Sequence, residues 1–118
     1  MSKSPIDYLS HILLECEYIN GILSAETDID KFLADETLKR AIVRSLEIIG
    51  EASKQIPADI KYKWSYIKWR NIAGMRDKLI HDYIGVNYLI VWDVAKNGIP
   101  ELITQINEVI DSERNKIQ

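Results

Sequence analysis

Apolar residues return at three- and four-residue steps along almost the whole of this chain, and that periodicity leaves room for little except α-helices that each bury one face. It is most regular between residues 35 and 57. Leu38, Ile42, Ser45, Ile49, Ala52 and Ile56 keep a seven-residue rhythm from about Asp35 until Pro57 stops it. An earlier helix begins at Ser4, Pro5 and Asp7, which supply a capping hydroxyl, a proline whose missing N–H costs nothing in the first turn, and an acid near the positive end of the helix dipole. Ile6, Leu9, Leu13, Cys16, Asn20 and Leu23, widened by Ile12 and Ile19, carry its buried stripe to about residue 24. The stretch AETDID then resets the chain. After a linker around PADIKYK, Ser65 is placed to cap a third helix bearing Ile67, Ile72, Met75, Leu79 and Tyr83, with Gly85 as its left-handed terminator. Asn87 caps a fourth through Leu89, Ile90 and Val94, which is interrupted or kinked at Asn97-Gly98-Ile99-Pro100 and resumes with Leu102, Ile103, Ile106, Val109 and Ile110. Short links between such helices predict an all-α, antiparallel bundle of four to five helices.

With 118 residues, 47% hydrophobic and 28% charged, the chain can build one core, so residues 1–118 are read as a single domain. The net charge of -3 argues against a protein that coats nucleic acid, and any phosphate recognition has to be local. The single cysteine, Cys16, sits at helical spacing with Leu9, Leu13 and Ile19, reads as a small core residue and fits a reducing compartment. MSKSPID lacks the apolar centre of a signal peptide, and no apolar run approaches the roughly 20 residues that span a bilayer, so a soluble, cytoplasmic protein without membrane contact is expected. Neither a glycine-rich phosphate loop, nor paired cysteines, nor two histidines at ligand spacing occur, so no metal and no cofactor are expected.

The third helix holds the unusual residues, in the string RDKLIHDYIG from Arg76 to Gly85. At 100° per residue Arg76 lies only about 40–60° from Ile72 and Leu79, at the edge of the buried stripe. A guanidinium there needs a carboxylate, a phosphate or water. Arg44, Glu47 and Glu51 share one side of the second helix, so a structural ion pair from Arg76 to Glu47 or Glu51 competes with a phosphate-binding role. His81 is five residues on, about 140° around the helix and about 7.5 Å along it, so the two groups meet only by bending toward one anion or across a symmetry axis between two copies. A histidine near a helix end also serves as a cap or surface residue, and Tyr83 beside Leu79 also serves core or interface packing. Upstream, residues 61 to 78 carry Lys61, Lys63, Lys68, Arg70, Arg76 and Lys78 against Asp77 alone, interleaved with Tyr62, Trp64, Tyr66 and Trp69. Cations beside flat rings are the ingredients of single-stranded nucleic-acid binding, with Lys68, Arg70, Lys78 and Trp69 as the candidates. The same pattern also describes aromatics that plug a bundle under solvated lysines.

The string from Arg76 to Tyr83 matches the RxxxxHxY motif of HepT-like proteins, a branch of the HEPN superfamily. RAIVRSLEIIGEASKQIP (40 to 57) and WRNIAGMRDKLIHDYIGVNYLIVWDVAKNGIPEL (69 to 102) also resemble that family, so the similarity covers most of the chain. The resemblance implies a HEPN-like bundle that forms a homodimer, with Arg76 and His81 of both copies lining a cleft as catalytic residues of a metal-independent endoribonuclease. It implies a toxin of a toxin–antitoxin pair, RNA as substrate, and a cognate nucleotidyltransferase antitoxin of the MntA type as partner. Tyr83 resembles the tyrosine that such an antitoxin modifies with AMP. A non-catalytic HEPN subunit that only docks onto, or is modified by, a minimal nucleotidyltransferase is the alternative.

Overall fold

The computed structural model describes residues 3–117; the side chains of Tyr83 and Ile117 lie outside that description. Among the described residues there are helices and no strands, as the periodicity predicts. Helix α1 (Pro5–Ile22) starts with a reciprocal cap: the Asp7 N–H donates to Ser4 Oγ, and the Ser4 N–H donates to Asp7 Oδ2 at 2.9 Å. Its centre is Leu9, Ile12, Cys16 and Ile19, all essentially sealed, whereas Leu13 is half-buried and Asn20, expected in the stripe, is exposed. The stripe is therefore rotated toward Ile12 and Ile19.

The AETDID reset contains a helix start. The Lys31 N–H donates to Asp28 Oδ1 at 2.8 Å and opens α2 (Ile29–Ala34), whose Phe32 ring is buried against Trp92 at 5.3 Å between centroids. Asp35 caps α3 (Glu36–Lys54) by accepting from the Leu38 N–H at 3.0 Å, and the predicted face of Ile42, Ser45, Ile49 and Ala52 is buried. The supposed linker PADIKYK forms a short helix, α4 (Ala58–Lys63), because Ile60 has a core socket to fill.

Ser65 does not cap the next helix. It sits in the turn before α5 (Trp69–His81), which begins after Lys68 without a side-chain cap and is located instead by the Trp69 indole N–H donating to the Trp64 carbonyl at 3.1 Å. Nor does Gly85 adopt a left-handed conformation: α5 ends at His81 and a 3-10 turn (Tyr83–Gly85) follows with no positive φ. Asn87 does cap α6 (Tyr88–Asp93), its Oδ1 accepting from the Leu89 and Ile90 N–H groups. The expected break at residues 97 to 100 is a π-helical turn (Val94–Gly98) that leads without interruption into α7 (Ile99–Ile117). Pro100 removes one N–H and its ring crowds the carbonyl four residues back. The wider turn, with the Ile99 N–H reaching the Val94 carbonyl, absorbs both.

Helix α1 lies between α7 and α3, and α3 carries α5 on its other side. Lys96, just before α7, donates to the Ser24 carbonyl just after α1, so those two helices run antiparallel. Tyr8 and His11, early in α1, face the second half of α3 in the same sense. Four long helical segments thus make the bundle, with α2 and α4 as short braces. No helix among the described residues is long and apolar enough to cross a membrane.

Candidate functional site

The site grows out of the α3–α5 crossing. Gly50 is buried on α3, and a Cβ there would overlap Arg76 Cβ and meet the Ile72 carbonyl oxygen at 3.0 Å. Only a hydrogen at this position lets the two backbones approach so closely, and that approach sets the root of the Arg76 side chain. The guanidinium emerges at the rim, where the side chain is 26% exposed. Its Nε lies 2.9 Å from Glu51 Oε2, but the N–H does not point along that line, so the contact is Coulombic and the buried Nε makes no hydrogen bond. Nη1 donates to Asp77 Oδ1 at 3.0 Å. The same oxygen accepts from Lys54 Nζ at 2.5 Å, and Lys54 first, then Arg76, hold the Asp77 carboxyl below the usual aspartate range. Among the described residues no hydrogen bond from Nη2 is formed, and the side chain as a whole is about one quarter exposed.

Arg76 also lines a groove of about 210 Å³ between α1, α3 and α5, together with Tyr8, His11, Arg44, Glu47 and Ile80. Of the three candidates for a structural pair on α3, Glu51 forms it; Arg44 and Glu47 border the groove without an ion pair among the described residues. His11 and Tyr8 had no signal in the sequence. They lie three residues apart on α1, and only the antiparallel pairing of α1 with α3 brings them to Arg76.

His81 is elsewhere. It is the last residue of α5, exposed, with no side-chain hydrogen bond among the described residues, and it does not border the groove that Arg76 lines. One chain therefore keeps the two groups on different walls, as their five-residue spacing requires. The Tyr83 side chain, singled out as an AMP acceptor, lies outside the described residues. Ile80 next to His81, Ile84 in the turn that follows, and Leu89 and Ile90 on α6 are exposed, Ile84 at 88%.

In the cationic segment, Lys68 and Arg70 are exposed and border a second, open groove of about 460 Å³ with Lys61, Ser65 and Asn71. Lys78 is exposed farther along α5 and is not part of it. Trp69, expected to offer its ring to bases, is only 8% exposed and spends its N–H on Trp64, because the first turn of α5 faces the core. The exposed rings are Tyr62 and Tyr66, and the Tyr66 hydroxyl donates to Glu108 Oε2 at 2.9 Å. Among the described residues no group of three or more His, Cys, Asp or Glu side chains is arranged to share an ion.

Comparison with known proteins finds sequence relatives over most of the chain. A family model described as ribonuclease HepT-like matches residues 12–109. The chain is 48% identical over 116 residues to the "Putative RNase" of Caldanaerobacter subterraneus subsp. tengcongensis, covering 95% of this chain and 99% of that one. It is 45% identical over 102 residues to the "Probable ribonuclease HepT" of Thermococcus cleftensis, covering 86% and 92%. A further "Putative RNase", from Methanocaldococcus jannaschii, is 45% identical over 95 residues, covering 79% and 82%. No solved structure matches the chain. A family match over residues 12–109 and relatives 45–48% identical over most of both chains establish the conclusion: the chain belongs to the HepT-like ribonuclease family.

Proposed function

We propose that this chain is a metal-independent endoribonuclease that works as a homodimer, and that it is the toxin of a toxin–antitoxin pair. The observation that carries the reading is the placement of Arg76, rooted against Gly50 and held by Glu51 and Asp77 at a partly exposed rim, with an exposed His81 five residues on at the end of the same helix. A second copy would cover apolar side chains that the single chain leaves exposed after Arg76: Ile80, Ile84, Leu89 and Ile90.

In that dimer the two His81 side chains and the arginines face one phosphodiester. One imidazole takes the proton from the RNA 2′-hydroxyl as its oxygen attacks phosphorus. The imidazolium of the other copy gives a proton to the departing 5′-oxygen as the P–O5′ bond breaks. Imidazole suits both tasks near neutral pH. Arg76 neutralises the charge that builds on the non-bridging oxygens of the phosphorane. The products are a 2′,3′-cyclic phosphate and a 5′-hydroxyl, with no water consumed in that step and no ion required.

The proposed partner is a nucleotidyltransferase antitoxin that transfers AMP to Tyr83. Its backbone lies in the turn immediately after His81, and a phosphate installed there would occupy Arg76 and repel RNA. The test is RNA cleavage in EDTA by the wild type, His81→Ala and Arg76→Ala, each confirmed folded, with end-group analysis of the products. Loss of cleavage in both variants and a cyclic phosphate are expected. Variants that cut as fast as the wild type, or a wild type that leaves every RNA intact, would defeat the catalytic assignment. Co-expression with a nucleotidyltransferase of the proposed antitoxin type should raise the intact mass by AMP, with the adduct lost in Tyr83→Phe.

A further inference from the structure

The groove at the start of α5 differs from the Arg76 groove in one respect that decides what it can hold. Arg76 has Glu51 and Asp77 beside it. Lys61, Lys68 and Arg70 border a larger groove whose walls contain no carboxylate, and among the described residues none of the three has one within 4.0 Å. In a chain of net charge -3, three cations left unneutralised around one concavity form a local positive focus. Their neighbour Lys63, by contrast, is directed away toward Ser112 and Glu113 on α7. The polar groups of Ser65 and Asn71 complete the lining, and the apolar part comes from Ile67 and the edge of Trp69.

Helix α5 joins this groove to His81. Its 13 residues, from Trp69 to His81, set the two ends about 18 Å apart along the axis. A stacked single strand rising about 3.4 Å per nucleotide covers that span in about five nucleotides, and an extended one in fewer.

We propose that Lys61, Lys68 and Arg70 form a second phosphate-binding site that holds the backbone of a single-stranded RNA several nucleotides away from the bond being cut. The inference rests on the ribonuclease reading for its substrate. It adds that the preferred RNA is unpaired and long enough to reach both ends of α5. With Trp69 turned into the core, the groove grips phosphates without stacking a base on that ring, so its contribution is independent of sequence.

The test separates the two claims by measuring binding and cleavage apart. Binding uses a labelled, non-cleavable 2′-deoxy oligonucleotide of about twelve residues, titrated across a series of salt concentrations. Each phosphate contact on a single strand contributes about 0.7 to the slope of log K against log salt, so the Lys61→Ala/Lys68→Ala/Arg70→Ala variant should lose about 2 from that slope. The Lys68→Ala/Arg70→Ala variant, which spares the half-buried Lys61, should lose about two-thirds as much. In cleavage, the ratio of kcat/KM for a long unstructured RNA over that for a dinucleotide should fall about tenfold or more in the triple variant. Unchanged slopes in both variants, or an unchanged length preference, would overturn the second site even if the enzyme cuts RNA. A lost slope in a protein whose wild type cuts nothing would keep the site and reject the ribonuclease.

Discussion

Replacing Gly50 by alanine tests the contact on which the position of Arg76 depends. The added methyl group would collide with Arg76 Cβ and meet the Ile72 carbonyl oxygen at 3.0 Å and Arg76 Cγ at 3.1 Å. Two of those atoms are backbone or attached to it and cannot rotate aside. Carbon atoms settle about 3.5–4.0 Å apart, so α5 has to back away from α3 by roughly 1 Å. Overpacking of this kind costs about 1–3 kcal/mol, and rigid neighbours put it in the upper part of that range. Alanine recovers about 0.5–1 kcal/mol of helix propensity. The net loss of about 1–2 kcal/mol corresponds to a melting temperature lower by roughly 5–10 °C, followed by circular dichroism at fixed protein concentration. Gly21→Ala is the control: its Cβ meets nothing within 4 Å, so the same chemistry should leave stability unchanged or gain about 0.5 kcal/mol. Displacing the root of Arg76 by about 1 Å should also lower RNA cleavage on the order of 100-fold. A Gly50→Ala protein that melts at or above the wild type would show that α3 and α5 do not touch here, and the account of Arg76 would fall with it.

Glu51→Gln removes the carboxylate beside Arg76 Nε; the pair is partly exposed, so stability should change by no more than about 1 kcal/mol, while kcat for RNA should fall about tenfold as the guanidinium loses its orientation. Burial first, then the Glu15 and Glu17 charges, push the Cys16 thiol up to about 12, so iodoacetamide at pH 8 should leave it unmodified until the protein unfolds. The unfolded thiol ionises near its ordinary 9.0, so wild-type stability should decline from there toward pH 12, and Cys16→Ala should flatten that decline in alkaline urea titrations. The Asp77 carboxyl, depressed by Lys54 and then Arg76, should titrate below its ordinary 3.8 by carboxyl NMR. Its contribution is present above the unfolded value and lost as pH falls through the depressed one; Lys54→Ala should move the midpoint up, and no movement would remove Lys54 as the main cause.

The long helices were legible because their signals are redundant. Ser4-Pro5-Ile6-Asp7 caps as the residue types imply, Asn87 does the same, and the α3 stripe persists for five turns. Helices α2 and α4 were not legible, since six residues hold too few apolar positions to show a period; Phe32 and Ile60 commit them by packing that lies far away in sequence. The proline at 100 signalled a break, but the sequence does not say whether a helix breaks or widens. At the site, Arg76 could be placed at the edge of the stripe and Glu51 among its partners, yet nothing in the string IGEA told which helix Gly50 would meet. Alternation of cations with aromatics likewise reads the same whether a ring turns outward, as Tyr62 does, or inward, as Trp69 does.

These distinctions bear on how such a site divides its labour. A cation that stabilises a phosphorane works best when it is already in place, because reorganising it during the reaction costs part of the gain. Arg76 sits mid-helix, rooted at the closest approach of two backbones and held by two carboxylates, one of which is itself held by Lys54. A proton carrier has the opposite requirement, since it must reach one oxygen and be reached by solvent or a second imidazole between turnovers. His81 occupies the exposed last position of α5, where the chain passes into a short turn. The helix thus separates the Arg76 guanidinium from the His81 imidazole by about 140° and about 7.5 Å, too far apart in direction for one chain to close around a phosphate without bending. On the proposed reading, a second copy docked over Ile80, Ile84, Leu89 and Ile90 supplies the missing wall, and the apolar residues beside the motif are as much a part of the catalytic arrangement as the motif itself.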